Sequence, residues 1–248
     1  MRQWWRYLAA GVSVYLLLLL VTLPAAHFRS TLQEQVPGLL LSGVSGSVFS
    51  GMARQGSYQG FDLGEVKWHF RPFALLLARL EYRLEVAHRD NNGQTVVGIK
   101  PGGDLYGKDL NMQLAPDRLI NQFSPVSLVS HGSLRLRLDE FTASGEMLTA
   151  VTGTIEWDDA AITSPVDLVL GQLELSLQSN ENNLVATVTQ GGDLGVSGDI
   201  SFLDGSDYSV DLVLRPGKNV SAETMGLLET VMQAGPAGSF LLETSGSL

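Results

Sequence analysis

The chain has 248 residues, the length of one domain or two at most. Its 16 Lys and Arg against 26 Asp and Glu give a formal charge of −10. That argues against nucleic-acid binding, which needs clustered Lys and Arg to displace counterions from phosphates. Cysteine is absent, which removes disulfides, thiolate metal sites and a cysteine nucleophile. With 27 Gly, 17% charged residues and a mean hydropathy of +0.12, the composition points to an anchored, β-rich protein.

The first element is an apolar segment. From Tyr7 to Phe28, through Leu16 and Leu20, there are 22 residues without Asp, Glu, Lys or Arg. At about 1.5 Å per residue this is long enough to cross a hydrocarbon core of about 30 Å. Arg2 and Arg6 precede it, with Trp4, Trp5 and Tyr7 at the expected interfacial belt. Positive charge before the span places the N-terminus in the cytoplasm and the rest outside. A cleaved signal peptide is the competing reading. Its cleavage site wants small residues at −3 and −1, and Pro24/Ala26 and Leu23/Ala25 serve poorly. The expected organisation is an anchor over residues 1–28 and an exported domain over 29–248. That exported part keeps 14 basic and 26 acidic residues, a charge of −12, because only Arg2 and Arg6 are removed.

Ser30 to Val36 reads as a short helical or linking stretch, closed by Pro37-Gly38. Strand signals follow. Glu65–Phe70, Leu80–Val86, Leu134–Leu138 and Tyr208–Leu212 alternate polar and apolar residues, which puts one set on each face of a half-buried, antiparallel sheet. Asp90–Gly93, Pro101–Asp104, Ser179–Asn183, Gly191–Asp193 and Asp204–Asp207 supply the turns. From about Ala150 to Arg215 the chain reads as a meander of hairpins without crossover helices. Gly followed by a small or acidic residue and an apolar one recurs at Gly46, Gly132, Gly153, Gly198 and Gly246. Glycine inside strands signals a bend, a bulge or close backbone approach. Two short helices are predicted. One spans Pro116 to Phe123. The other spans Ser221 to Ala234, stopped by Gly235-Pro236, with Met225, Leu228, Val231 and Met232 as its stripe against the sheet. The predicted fold is therefore mainly β, antiparallel, a curved sheet or a sandwich, with one or two short helices behind a transmembrane helix.

Chemistry-bearing motifs are scarce. No G-x-G, G-K-S/T, H-E-x-x-H or G-x-S-x-G occurs. His69 falls on the polar side of its strand and reads as a solvated residue, as does His131 before Gly132. Asp139-Glu140 and Asp158-Asp159 are strand neighbours whose carboxylates would diverge. Phe49, Trp68, Phe70, Trp157 and Phe202 read as core. No catalytic, metal or cofactor site is expected. The edge of a strand around Val44, Gly46 and Val48 is the preferred place for a partner chain to add, because it follows the anchor and carries few charges. Gly46 bending a central strand is the alternative.

One segment runs Leu41-Ser42-Gly43-Val44-Ser45-Gly46-Ser47-Val48-Phe49-Ser50-Gly51. A second, Leu63-Gly64-Glu65-Val66-Lys67-Trp68, is followed by Pro72 and Leu75-Leu76-Leu77. Together with the leading apolar segment these resemble the protein N family of the type II secretion system. Phe49 stands where that family more often has Trp, and Arg79 where Gly often closes the leucine run. The resemblance implies a non-catalytic, single-pass protein of a Gram-negative inner membrane with a periplasmic domain. It also implies a role supporting transport of folded proteins across the outer membrane, with other components of that machine as partners. The family is also similar to larger envelope proteins with apolar β-grooves, which supplies a rival lipid-binding or lipid-transfer reading. A periplasmic hydrolase is the third reading.

Overall fold

The computed structural model describes residues 24–25, 33, 36–89, 91–117, 129–144, 147–164, 167–180, 183–203, 207–217, 220 and 222–247. The predicted anchor residues Tyr7, Leu16, Leu20 and Phe28 lie outside these. No helix among the described residues is long and apolar enough to cross a membrane. Pro24 and Ala25, inside the predicted span, belong to the folded part. Pro24 forms a β-bridge with Ser47, and Ala25 is buried.

The chain divides into two compact units, Met1–Arg89 and Asp90–Leu248. In the first, β1 (Leu39–Ser42) and β2 (Ser45–Gly46) lie along the same side of β3 (Ser50–Tyr58), followed in order by β4 (Phe61–Phe70) and β5 (Leu80–Ala87). All pairs are antiparallel. Val66, Trp68 and Phe70 pair with Val86, Leu84 and Tyr82, while Lys67 and His69 pair with Glu85 and Arg83. Directly paired residues share a face, so the predicted alternation yields one apolar and one charged side. Ala53 is fully buried beside Val66. A six-residue 3₁₀ turn, Pro72–Leu77, connects β4 to β5.

The second unit is an antiparallel sheet of β6 (Asn92–Ile99), β7 (Leu105–Leu114), β8 (Val129–Ser144), β9 (Met147–Ser164), β10 (Leu168–Asn180), β11 (Asn183–Gly191), β12 (Val196–Leu203) and β13 (Asp207–Leu214). Then β15 (Phe240–Ser247) follows in space, with β14 (Gln233–Ala234) outermost. Strand pairing carries apolar rows across most of this sheet, from β7 to β13. Met112, Leu136, Ile155, Leu175 and Val188 form one row, and Leu110, Leu138, Gly153, Leu177, Ala186, Ile200 and Val210 the next. The opposite face carries Asn111, Arg137, Thr154, Ser176, Thr187, Asp199 and Asp211. Of the fifteen described strands, β1, β2 and β14 are too short to leave a periodic signal in the sequence.

Bulges keep long strands in phase with the core. Asp159 sits at φ 49° opposite Gly132, at φ 104°, and Gly171 adopts φ 76°. Past them the inward set on β9 switches from Ile155 and Trp157 to Ala160 and Ile162, and on β10 from Leu173 to Leu170 and Leu168. Each extra residue reverses which face later side chains occupy. The bulge at Asp139 does the same before Phe141, and it leaves Asp139 and Glu140 both exposed.

The helix α1 spans Ala222–Val231. Leu228 packs into a buried cluster with Ala160, Leu170, Leu194, Leu214 and Phe240, joined by Met225 and Met232. The predicted continuation to Ala234 is corrected. After Met232 donates to the Leu228 carbonyl, Gln233 and Ala234 pair with Leu241 and Phe240 as a strand. Pairing on the sheet's last strand competes with the final helical turn and wins. Of the predicted helix from Pro116 to Phe123, Pro116 and Asp117 are helical and the remainder lies outside the described residues. The five aromatic residues expected as core are only part-buried. Trp157 of the second unit packs against the buried cluster that α1 joins.

Candidate functional site

The region singled out around Gly46 is a broken outer strand. β1 pairs with residues 55–58 of β3, the chain bends at Gly43 and Val44, and Ser45 and Gly46 pair with Met52 and Gly51. Gly46 has φ 88°, and a Cβ there would meet the Ser50 carbonyl oxygen at 2.6 Å. Glycine therefore serves both the left-handed backbone and the close approach of the next turn. Of the three predicted edge residues only Gly46 is in a strand. Val44 occupies the bend and Val48 the turn from Ser47 to Ser50, both part-buried. That turn is closed by Ser47 N–H donating to the Ser50 carbonyl at 2.8 Å and by Ser50 N–H donating to Ser47 Oγ at 3.2 Å. Pro24 shields Ser47 on the outer side and, lacking an N–H, offers no donor there. Among the described residues β1 has no partner on its outer side, and Leu40 is 63% exposed.

Aromatic residues tie this edge inward. Trp68 of β4 lies over Gly51 of β3 and donates its indole N–H to the Ser47 carbonyl at 3.1 Å. Phe70 N–H donates to the Phe49 carbonyl at 2.7 Å, and the Phe49 and Phe70 rings meet edge to face at 5.2 Å. Phe70 also contacts Tyr82 at 5.3 Å, and burial pushes the Tyr82 phenol up from its ordinary pKa. Arg71 pairs at 2.9 Å with Glu81, whose carboxylate is buried.

Where the chain turns next, it exposes apolar side chains. In the Pro72–Leu77 turn only Ala74 is buried. Phe73, Leu75, Leu76 and Leu77 are 83, 53, 84 and 68% exposed, and Leu80 at the start of β5 is 47% exposed. The sequence shows this leucine run, but not that it projects outward.

The groups weighed for catalysis do not converge. His69 is exposed on the charged face. His131 is exposed and sits 3.1 Å from the Thr163 hydroxyl, while its carbonyl accepts the Trp157 indole N–H at 2.9 Å. His88 Nδ1 lies 3.8 Å from Asp62, beside a shallow depression of about 600 Å³ lined among others by Arg54, Glu65 and Arg89. Asp158 is held by Arg135, and Glu156 by Arg137 at 2.7 Å, in a cross-strand charge ladder. Among the described residues no group of three His, Asp or Glu side chains could hold a metal ion. The predicted turn Asp204–Asp207 falls mostly outside them.

These features define an antiparallel sheet protein with an interrupted outer strand behind an apolar leading segment. The sequence description of the family "Type II secretion system (T2SS), protein N" matches residues 37–242, and the chain belongs to that family. It is 28% identical over 240 residues to the type II secretion system protein N of Aeromonas hydrophila, covering 94% of both chains. It is 29% identical over 133 residues to that of Vibrio cholerae serotype O1, covering 52% of each. Over 161 residues it is 29% identical to that of Klebsiella pneumoniae, covering 63% of this chain and 60% of the relative. No solved structure matches the chain.

Proposed function

We propose that this protein is a non-catalytic component of the type II secretion system. In this reading the segment before Pro24 anchors it in the inner membrane with the N-terminus in the cytoplasm. The β-rich part stands in the periplasm and supports export of folded proteins by contacts with other secretion proteins. Family membership over residues 37–242 carries the reading. The uncharged run behind Arg2 and Arg6 supports the orientation. The outer side of β1 and β2 supplies the contact, since an unpaired strand edge is a template for strand addition, and attachment to the same membrane raises the effective concentration of any partner there.

The test places a photocrosslinking side chain at Leu40 or Ser45 in cells making the complete apparatus. Crosslinks to a secretion component, together with loss of substrate export on deletion of the gene, are expected. Normal export without the protein would sink the reading.

The apolar rows of the second unit favour a second reading. Leu136, Ile155 and Leu175 are aligned across strands, with Ile200 in the next row, yet all four are only part-buried, and such a face suits an acyl chain. Lipid co-purifying with the full chain in stoichiometric amount, and lost on Ile155→Asp, is the outcome that reading requires.

A further inference from the structure

The strand order of the first unit brings three features to one end of its sheet. β3 begins and β4 ends there, because Ser50 pairs with His69. Pro24, where the apolar leading segment joins the folded unit, bridges Ser47 in the turn just before β3. The Pro72–Leu77 turn leaves from the end of β4, two residues after Phe70 binds Phe49. With strands about 4.8 Å apart, Pro24 lies three strand spacings, roughly 15 Å, from the end of β4 where the turn leaves.

We infer that the Pro72–Leu77 turn is a second membrane contact. In this inference Phe73, Leu76 and Leu77 dip into the interfacial layer of the same bilayer that holds the leading segment. The inference rests on the anchor reading above. Three observations carry it further. First, five large apolar side chains within eight residues are exposed together, four of them more than half exposed, whereas scattered single exposures are the norm on a soluble surface. Second, the turn satisfies its own backbone. Ala74 N–H donates to Arg71, Ala78 N–H to Leu75 and Arg79 N–H to Ala74, so immersion strands few polar groups. Third, the local charge is inverted. From Phe70 to Leu84 there are Arg71, Arg79 and Arg83 against Glu81, a balance of +2 in a chain of −10. Cations bracketing an apolar tip match anionic head groups. Counting from Tyr7, the apolar run up to Leu23 is 17 residues, at the short end of what spans a bilayer. That brings the Pro24 end of the sheet down against the head groups.

The absence of cysteine makes single-label experiments direct. Full-length Leu76→Cys, Gln59→Cys and Leu16→Cys variants, each carrying an environment-sensitive fluorophore, are reconstituted in phosphatidylethanolamine–phosphatidylglycerol vesicles. Gln59 is an exposed residue of the β3–β4 turn, at the opposite end of the sheet. Insertion of about 5–10 Å predicts that lipid-borne nitroxide quenches the residue-76 label roughly twofold more than the residue-59 label. Phe73→Cys gives the same result. Quenching at residue 16 with a residue-76 label as open to aqueous iodide as that at 59 overturns the second contact and leaves the anchor standing. A residue-76 label shielded from both quenchers marks a protein contact and also overturns it. If neither 16 nor 76 is quenched, the anchor reading fails and the inference falls with it.

Discussion

Trp68 reaches over Gly51 to the Ser47 carbonyl, so a side chain of β4 fastens the far side of β3 to its own strand. The arrangement needs a hydrogen at Gly51. A Cβ there would meet Trp68 Cζ2 at 2.5 Å and the Ser45 carbonyl oxygen at 2.6 Å. We expect Gly51→Val to cost about 1–3 kcal/mol by overpacking. Trp68→Phe, which keeps a ring but loses the donor, should cost about 0.5–1.5 kcal/mol. Urea unfolding of both variants checks this. A valine variant as stable as the parent would show that the ring does not lie on Gly51.

Tyr82 predicts a pH dependence with a definite sign. Burial raises its pKa above the ordinary value of 10.0, so above that pH the folded state holds a proton the unfolded chain has released. Stability then falls as pH rises beyond about 10. Tyr82→Phe removes this contribution. We expect its stability to decline less steeply than the parent's between neutral and strongly alkaline pH. Parallel slopes in thermal melts across that range would contradict the assignment.

Much of this architecture was legible because period-two alternation survives in single strands. Glu65–Phe70 and Tyr208–Leu212 lie within β4 and β13, and the meander from 150 to 215 needs only hairpin turns. The bulges were illegible in position, since the sequence shows Gly132 or Gly171 but not the register that requires an extra residue. Gln233 and Ala234 read as helix because local propensity cannot see β15 waiting beside them. Of the candidate edge residues, Gly46 lies in a strand, whereas Val44 and Val48 lie in a bend and a turn that no periodicity announces. The outward turn at Leu75–Leu77 was hidden for the opposite reason, since an apolar run ordinarily predicts burial.

Leu228 gives a prediction for the second unit. It is the deeply buried contact of α1 with Ala160, Leu170, Leu194, Leu214 and Phe240. We expect Leu228→Ala to destabilise by about 2–5 kcal/mol and to speed hydrogen exchange in Ala222–Val231 first. Protection unchanged along the helix would mean that its docking does not depend on this side chain.

Gly132 tests whether the β8–β9 bulge sets the phase of the core. Its φ of 104° lies where side chains are strained, and a Cβ would collide with the Asp158 carbonyl oxygen and come within 2.7 Å of that of Asp159. Neither oxygen can withdraw without moving β9, because Asp158 and Ala161 are held in register with Ser133 and His131. The bulge is also what turns Ala160 and Ile162 inward to meet Leu170, Leu168 and the α1 contact. Gly132→Ala should therefore cost more than a helix-exterior substitution, about 1–3 kcal/mol from backbone strain alone. The damage should propagate along β9 away from Trp157. Amide exchange separates this from general weakening. We expect faster exchange at Ala161 and Ile162 with protection retained at Thr154 and Ile155, on the other side of the bulge. Uniform loss across β9 would show that Gly132 merely fills space, and that another feature keeps the apolar rows in phase.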